Sequence, residues 1–409
     1  MQVVHERCCG LDIHKQTVVA CALTLGAAGE PRKAVRTFGT MTDELLALAD
    51  WLHAAGVTQV AMESTGVYWK PIWNLLEGEF ALLLANAQHV KRVPGRKTDV
   101  QDAEWLADLL RHGLLQGSVV PDRGRRELQE LTRYRTSLVE ARAAEVNRLH
   151  KTLEGANLKL GDVAASIVGV SGRQMLAALV TGEEDPAVLA QLARGRLREK
   201  RPDLERALAG RVGAHQRFLL AQQLAHLAFL DTSIATVSAE IAERLRPFAT
   251  QQAQLMTIPG VGARTAETLL AEIGTEMDRF PSAGHLASWA GMCPGNDESA
   301  GKRRSGRTRK GRPGLRAALV EAAHAASRTK GTYLAAQYRR IAARRGGKRA
   351  AVAVGHSILV SVYHLLREGV AYREPGGNFF DERDRHAVER RLVGRLEGLG
   401  YTVTLQPAA

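Results

Sequence analysis

The chain has 409 residues, 45% of them hydrophobic, and its 56 Lys and Arg against 43 Asp and Glu leave a formal charge of +13. That length exceeds one ordinary core and predicts two or three domains, while the cationic surplus points to a polyanion, nucleic acid before any other partner. No apolar run reads as a membrane span, and MQVVHERCCGLDIH lacks the charged start, apolar middle and small-residue cleavage site of a secretory signal, so no membrane partner and a cytoplasmic, nucleoid-associated location are expected.

CCGLDIH reads as a buried strand, HKQT as a turn and TVVACALTL as an antiparallel return strand rich in β-branched residues. Cys8, Cys9, Cys21 and Cys293 form no CxxC pair, and three of them crowd into this early segment, which argues against a zinc knuckle or a disulfide framework. AVRTFGT fits a weaker third strand. Thr42 and Asp43 introduce the helical period of ELLALADWLHAAG, ending on Gly56. VTQVAMES is a strand, YWKPIWNLLEGE a short helix, FALLLANA a buried strand, and VQDAEWLADLLRHG a helix capped by Thr98 or Asp99 and closed by Gly113. The order β-β-β-α-β-α-β-α is that of the ribonuclease-H-like nuclease fold.

From Arg125 to Leu160 the chain has no Pro, and Leu and Val recur at three- and four-residue steps, predicting one long amphipathic helix. A second helical stretch runs from Pro186 to Leu245, broken near Pro202. The pair suggests a coiled-coil hairpin, read equally well as a dimerisation element or as a helical spacer. TIPGVGARTAETLLAEIG has the form of a helix-hairpin-helix, in which Gly260 and Gly262 let the backbone approach a phosphate. Beyond Glu374 a helix and a short strand are expected, without a chemical signature. The regions are thus 1–118 (α/β), 119–250 (helical coiled coil), 251–375 (mainly α, with the helix-hairpin-helix) and 376–409 (appendage).

Asp12 lies mid-strand between Leu11 and Ile13, where a buried acid is costly unless it is paired or holds a cation. Glu63 ends a strand, and Asp99 and Asp102 share a helix face at i and i+3. Four carboxylates about 4 Å apart repel by roughly 4 kcal/mol per pair at an effective dielectric near 20. Hard oxygen ligands select Mg2+ or Mn2+, and two such ions suit phosphoryl displacement. Read singly, Asp99 is a helix cap, Asp102 with Glu104 and Asp108 a solvated face, and Glu63 a strand end; Asp12 has no such excuse. Arg96 and Lys97 precede Asp99 and can meet a phosphate.

Between Lys302 and Arg316 lie eight Lys or Arg and no acid, with Lys302, Arg303, Arg304, Arg307, Arg309 and Lys310 as candidate phosphate contacts. Ser299, in ESAGK, is a candidate nucleophile, and on spacing alone Ser305 is its equal. RRIAARRGGKR, from Arg339 to Arg349, extends the basic surface.

GLDIHK, VAMESTGVYW, GRKTDVQDAEWLADLLRHG, TIPGVGARTA and the ESAGKRRSG loop, in this order, resemble the DEDD transposases of bacterial insertion sequences, a family related to the Piv invertase and described as bridge-RNA-guided recombinases. The resemblance spans about residues 5–375. It implies a RuvC-like N-terminal domain with a catalytic, metal-binding tetrad at Asp12, Glu63, Asp99 and Asp102. It also implies a C-terminal transposase domain whose serine, here Ser299, joins covalently to DNA. Family members carry Ser-Gly-Gly where this chain has Ser299-Ala300-Gly301. Double-stranded DNA at element ends and target, a noncoding guide RNA and a homo-oligomer, dimer or tetramer, are the implied partners. The competing readings are a hydrolytic junction-type nuclease, which needs no serine, and an inert nucleic-acid-binding protein, in which the acids are structural.

Overall fold

The computed structural model of the protein describes residues 2–26, 30–63, 66–85, 99–295, 297–306, 308 and 311–406, and excludes the side chains of residues 31, 99–101, 297–299, 303 and 304. Two compact units result, Met1–Arg123 and Gly124–Ala409.

In the first unit, β1 (Cys8–Ile13), β2 (Thr17–Leu25) and β3 (Pro31–Gly39) are followed by α1 (Thr42–Ala54), β4 (Gln59–Glu63), α2 (Trp69–Leu76), β5 (Ala81–Ala85), α3 (Asp99–Arg111) and β6 (Gly117–Ser118). Among the described residues these strands form one sheet in the order β3-β2-β1-β4-β5-β6. β1 pairs antiparallel with β2 and parallel with β4, and β4 pairs parallel with β5. The expected element order holds for the first eight elements. β3 begins earlier than its apolar stretch because it pairs with β2 from Pro31↔Leu25 to Gly39↔Thr17, and its outer residues are exposed and charged. β6, two residues long, carries no sequence pattern and exists through pairing with Leu84 and Ala85.

β1 is buried on both faces, as its lack of hydrophobic alternation requires. Cys9, Leu11 and Ile13 share a core with Leu48 and Leu52 of α1 and Ile72 and Leu76 of α2. Cys8 faces the other way, onto Ala103, Leu106, Ala107 and Leu110 of α3.

The second unit opens with α4 (Arg123–Gly155), a short α5 (Leu160–Val163), α6 (Val170–Thr181), α7 (Pro186–Gln191), α8 (Arg201–Leu208) and α9 (Ala214–Leu245). The expected long helix is present. Its apolar stripe meets α9 running the opposite way: Leu138 packs with Leu230 and Ile234, Arg142 bonds Asp231, and Arg244 bonds Glu127. The helical hairpin therefore closes within the chain. Between its arms, Leu153, Leu176, Leu189, Leu204 and Leu220 build a separate small core. The expected break near Pro202 is present: the α-helix stops at Gln191, residues 195–200 form a tighter 3-10 turn, and Pro202 sits in the first turn of α8, where its missing N–H costs nothing; the chain leaves the helix again at 209–213.

The remainder comprises α10 (Ala249–Met256), α11 (Ala263–Ile273), α12 (Ala283–Trp289), β7 (Asp297–Ser299), β8 (Lys302–Ser305), α13 (Pro313–Arg328), α14 (Tyr333–Arg345), α15 (Gly347–Glu368), α16 (Phe379–Glu382) and α17 (Arg385–Glu397). α15 is long and apolar enough to span a bilayer by length and composition, contrary to the reading of the sequence. Its apolarity has a partner in the protein, since Val354, Ile358, Leu359 and Val362 are fully buried in the core. In the tail, Phe379 and Phe380 pack on Tyr333 with ring centroids 5.1 and 5.0 Å away. Among the described residues no strand follows α17, so the expected terminal strand is corrected to coil: an isolated strand has no ladder to join.

Candidate active site

The parallel register of β1 and β4 ends at Leu11↔Met62. Asp12 and Glu63 are the next residues on these neighbouring strands. Alternation places them with Cys8, Gly10 and Ala61, on the face covered by α3. Gly10 sets how close α3 comes: a Cβ there would lie 2.4 Å from the Ala103 carbonyl oxygen and 2.5 Å from the Ala107 nitrogen. The Cys8 thiol, two residues back, donates to the Ala107 carbonyl at 3.6 Å. Stepping from Cys8 to Gly10 thus moves toward the N-terminus of α3. Two strand residues advance about 6.6 Å and four helical residues about 6 Å, so the next step carries Asp12 toward position 99, a helical turn before Ala103.

Asp12 is 15% exposed, and its Oδ2 lies 3.0 Å from His14 Nε2. His14 was missed by reasoning confined to carboxylates, yet GLDIHK carries the signal, because i and i+2 on a strand share a face. Glu63 and Asp102 are half-buried, and among the described residues neither has an ion-pair or hydrogen-bond partner. The other described acids of α3 are engaged: Glu104 meets Lys33 at 3.0 Å and Asp108 meets His112 at 3.5 Å. The helix face is thereby sorted into paired acids and Asp102. The Asp99 side chain lies outside the described residues, as do Arg96 and Lys97 altogether. Among the described residues no three His, Cys, Asp or Glu side chains form a group able to hold a metal ion.

All four cysteines are free. Burial pushes the Cys8 and Cys21 thiols up to about 11 and raises Cys9 as well. Burial thus keeps these thiols in the neutral form.

In the second unit, β7 and β8 form an antiparallel hairpin with Ser299 opposite Lys302. The two-residue turn is left-handed at both positions, Ala300 at φ +50° and Gly301 at φ +73°, a conformation that suits Gly but strains Ala. Ser299 stands at the hairpin tip. Ser305 pairs with Asp297 at its base, beyond a register shift, so the two candidate serines occupy distinct places. Lys302 is exposed on β8; the side chains of Ser299, Arg303 and Arg304, and all of Arg307, Arg309 and Lys310, lie outside the described residues.

The chain leaving this basic loop is tied down at Arg312, which bonds the buried Glu272 at 3.1 Å and stacks 4.7 Å over Trp289. Glu272 also takes two bonds from Arg133, at 2.8 and 3.0 Å. At the TIPGVG turn, Gly260 has φ +88°, and a Cβ there would lie 2.3 Å from the Ala322 carbonyl oxygen of α13. The close approach expected toward a phosphate is made at Gly260 to a helix of the same chain. Gly262, the residue before α11, has nothing within 4 Å of an added Cβ.

Two transposase family models match the chain. One, for the DEDD transposases of IS110, matches residues 9–158, and the other, described as the IS116/IS110/IS902 transposase family, matches residues 252–339. An uncharacterised 43.6 kDa protein of insertion element IS110 from Streptomyces coelicolor is 28% identical over 221 residues, 49% of this chain and 53% of the relative. An uncharacterised 42 kDa protein of insertion element IS900 from Mycobacterium paratuberculosis is 30% identical over 250 residues, 52% of this chain and 60% of the relative. A probable family 20 transposase of Pseudomonas aeruginosa is 26% identical over 326 residues, 78% of this chain and 86% of the relative. The chain thus spans 53% and 60% of the two insertion-element proteins.

Proposed function

The chain belongs to the IS110/IS116 family of transposases, and from that membership we propose that it cuts and rejoins DNA at the ends of an insertion element and at its target. The observation that carries the reading is the placement of Asp12 and Glu63 on adjacent parallel strands, under the N-terminal end of the helix that begins with Asp99 and carries Asp102. The sheet order β3-β2-β1-β4-β5 supports a RuvC-like, ribonuclease-H-like catalytic domain.

The donors fit Mg2+ or Mn2+ by their chemistry: four carboxylates, whose hard oxygens suit these ions. Asp12, Glu63, Asp99 and Asp102 would hold the metal, which when bound supplies a Lewis acid for charge on phosphoryl oxygens. His14 holds the Asp12 carboxylate in place through its 3.0 Å contact. Ser299 is the nucleophile of this reading. Its Oγ attacks phosphorus, the bond to a deoxyribose oxygen breaks, and a later attack by a deoxyribose hydroxyl on the serine-linked phosphate restores the phosphodiester and frees the serine. Lys302 and its basic neighbours on the loop, Arg303, Arg304, Arg307, Arg309 and Lys310, neutralise the backbone, as would Lys97 beside the tetrad. The TIPGVG turn is proposed as a helix-hairpin-helix in which Gly262 offers its backbone to a phosphate. A noncoding guide RNA from the element and a homo-oligomer acting in the cytoplasm complete the proposal.

The test is to mix the full chain with element-end DNA, the RNA flanking its gene and Mg2+, denature, and look for DNA migrating with protein. An adduct lost in Ser299→Ala and kept in Ser305→Ala is expected, with cleavage lost in Asp12→Asn. Clean cleavage without an adduct would remove the serine from the mechanism and leave a hydrolytic nuclease. Full activity in Asp12→Asn would remove the tetrad.

A further inference from the structure

Beside the base of the serine hairpin lies a cavity of about 1080 Å3 that neither the tetrad nor Ser299 uses. Its walls come from the hairpin at Ser305, from Pro294 and Thr308, which bridge to each other beyond it, and from α13, α14 and α15. Four cations line it: Arg316, Arg345, Lys348 and Arg349, and the described lining contains no carboxylate. Arg345, Lys348 and Arg349 are exposed, whereas Met292 is fully buried and Val352, Gln337 and His356 are half-buried. The cavity thus runs from charged to apolar with depth.

Gln337 adds a second, independent observation. Its Nε2 donates to Ser357 Oγ at 2.9 Å, and that hydroxyl donates in turn to the Ala353 carbonyl at 3.3 Å. The remaining amide atom, Oε1, is buried and has no hydrogen-bond partner. A buried acceptor without a donor is unfavourable and calls for one. His356 is held below its ordinary value by burial and so enters as a neutral ring rather than a further cation.

A ligand that satisfies these features has anionic groups for the rim, a flat apolar body for Val352, and an N–H for Gln337. We propose that the cavity receives one unpaired deoxynucleotide of the strand being processed, its flanking phosphates on Arg345, Lys348, Arg349 and Arg316, its base against Val352, and a base N–H donated to Gln337 Oε1 as the buried amide turns toward the cavity. Every base carries such an N–H on its pairing edge, and in a duplex the opposite strand occupies it. Because a paired base is also stacked, and so held away from the cavity, the site favours unpaired DNA without choosing a base. The volume lies just above that of ordinary ligand sites, about 300–1000 Å3, and takes a nucleotide with its two phosphates. The inference rests on the reading of the chain as a DNA-processing enzyme.

The experiment uses the full-length protein, a fluorescein-labelled 12-nucleotide single strand containing 2-aminopurine, the same sequence as a duplex, and the matching oligoribonucleotide. Anisotropy at two salt concentrations gives affinity and salt slope, and 2-aminopurine emission reports an unstacked base. The Arg345→Ala/Lys348→Ala/Arg349→Ala variant is expected to lose about tenfold or more in single-strand affinity and to flatten the salt slope. Gln337→Leu should lose roughly fivefold for the single strand, keep its salt slope and duplex affinity, and abolish the 2-aminopurine change, with an unaltered melting temperature. Unchanged single-strand binding in Gln337→Leu overturns the proposal, as does equal loss of duplex and single strand in the triple variant. Tighter binding of the oligoribonucleotide with the same Gln337 dependence overturns the assignment to DNA. A wild-type protein that forms no adduct with element ends, yet shows the Gln337 pattern, refutes the recombinase reading and leaves the cavity assignment standing.

Discussion

Gly10→Ala tests the link between the strand that carries Asp12 and the helix that carries Asp99 and Asp102. The added Cβ would stand 2.4 Å from one backbone atom of α3 and 2.5 Å from another, and neither can rotate away as a side chain would. Restoring an ordinary contact of 3.4 Å requires the helix to lift by about 1 Å. Overpacking of this kind costs about 1–3 kcal/mol, which lowers the melting temperature by roughly 5 °C or more for a unit of this size. The effect on chemistry is larger in proportion, since a displacement of about 1 Å in a catalytic constellation costs on the order of 100-fold. Calorimetry and Mg2+-dependent cleavage of element-end DNA measure the two effects separately. Gly314→Ala is the control, because nothing lies within 4 Å of a Cβ there and the position is helical; it should hold or slightly raise stability. A Gly10→Ala protein that melts with the wild type and cleaves within about twofold of it would refute the proposed coupling of β1 to α3.

Glu272→Ala should cost about 2–3 kcal/mol in denaturant unfolding, at or below the range for breaking buried pairs because Arg133 and Arg312 keep access to water; a loss under about 0.5 kcal/mol would show that Glu272 does not brace α4 against the exit of the basic loop. Ala300→Gly relieves a left-handed alanine, and the hairpin amides should exchange up to about fivefold more slowly; faster exchange would contradict the strain. With a thiol reagent at pH 8, Cys293 should react first and Cys8, Cys9 and Cys21 only on unfolding, since burial keeps those three protonated. For Asp231, burial alone would raise the carboxyl, but the Arg142 and Arg173 guanidiniums outweigh it and hold the group below its ordinary 3.8. A lowered carboxylate stabilises the fold above its unfolded value and loses that contribution as pH falls through its folded value. The wild type should therefore lose more stability than Asp231→Asn on acidification from about pH 5 through the aspartate range, and parallel stability curves would contradict this.

Much of the first unit is legible from local pattern. β1, β2, α1 and β4 follow from period and composition, and Asp12 stands out because a mid-strand acid between Leu11 and Ile13 violates that pattern. The two long helices are legible for the same reason. Local pattern is weaker where an element exists only through its neighbour. β6 has two residues and no signal of its own, and the charged start of β3 is a strand because β2 runs alongside it. Pro202 marks its break from the far side, because at the first turn proline fits the start of the helix that resumes after 192–200.

The sequence by itself determined the chemical inventory: the four carboxylates proposed as a tetrad, the candidate serines and basic loop, the apolar stripes and the cationic excess. Tertiary structure decided which of these meet. Strand order set β1 beside β4, and Gly10 let α3 pack closely on the sheet face that Asp12 shares. It spent the stripe of α4 on α9, turned Gly260 onto α13, and separated Ser299 at the hairpin tip from Ser305 at the cavity wall. Period and composition act over a few residues, but the choice of packing partner depends on shape and burial summed over segments far apart in the chain. The orphaned acceptor on Gln337 is of this second kind: nothing in AAQYRR foretells that one end of its amide is filled and the other is not.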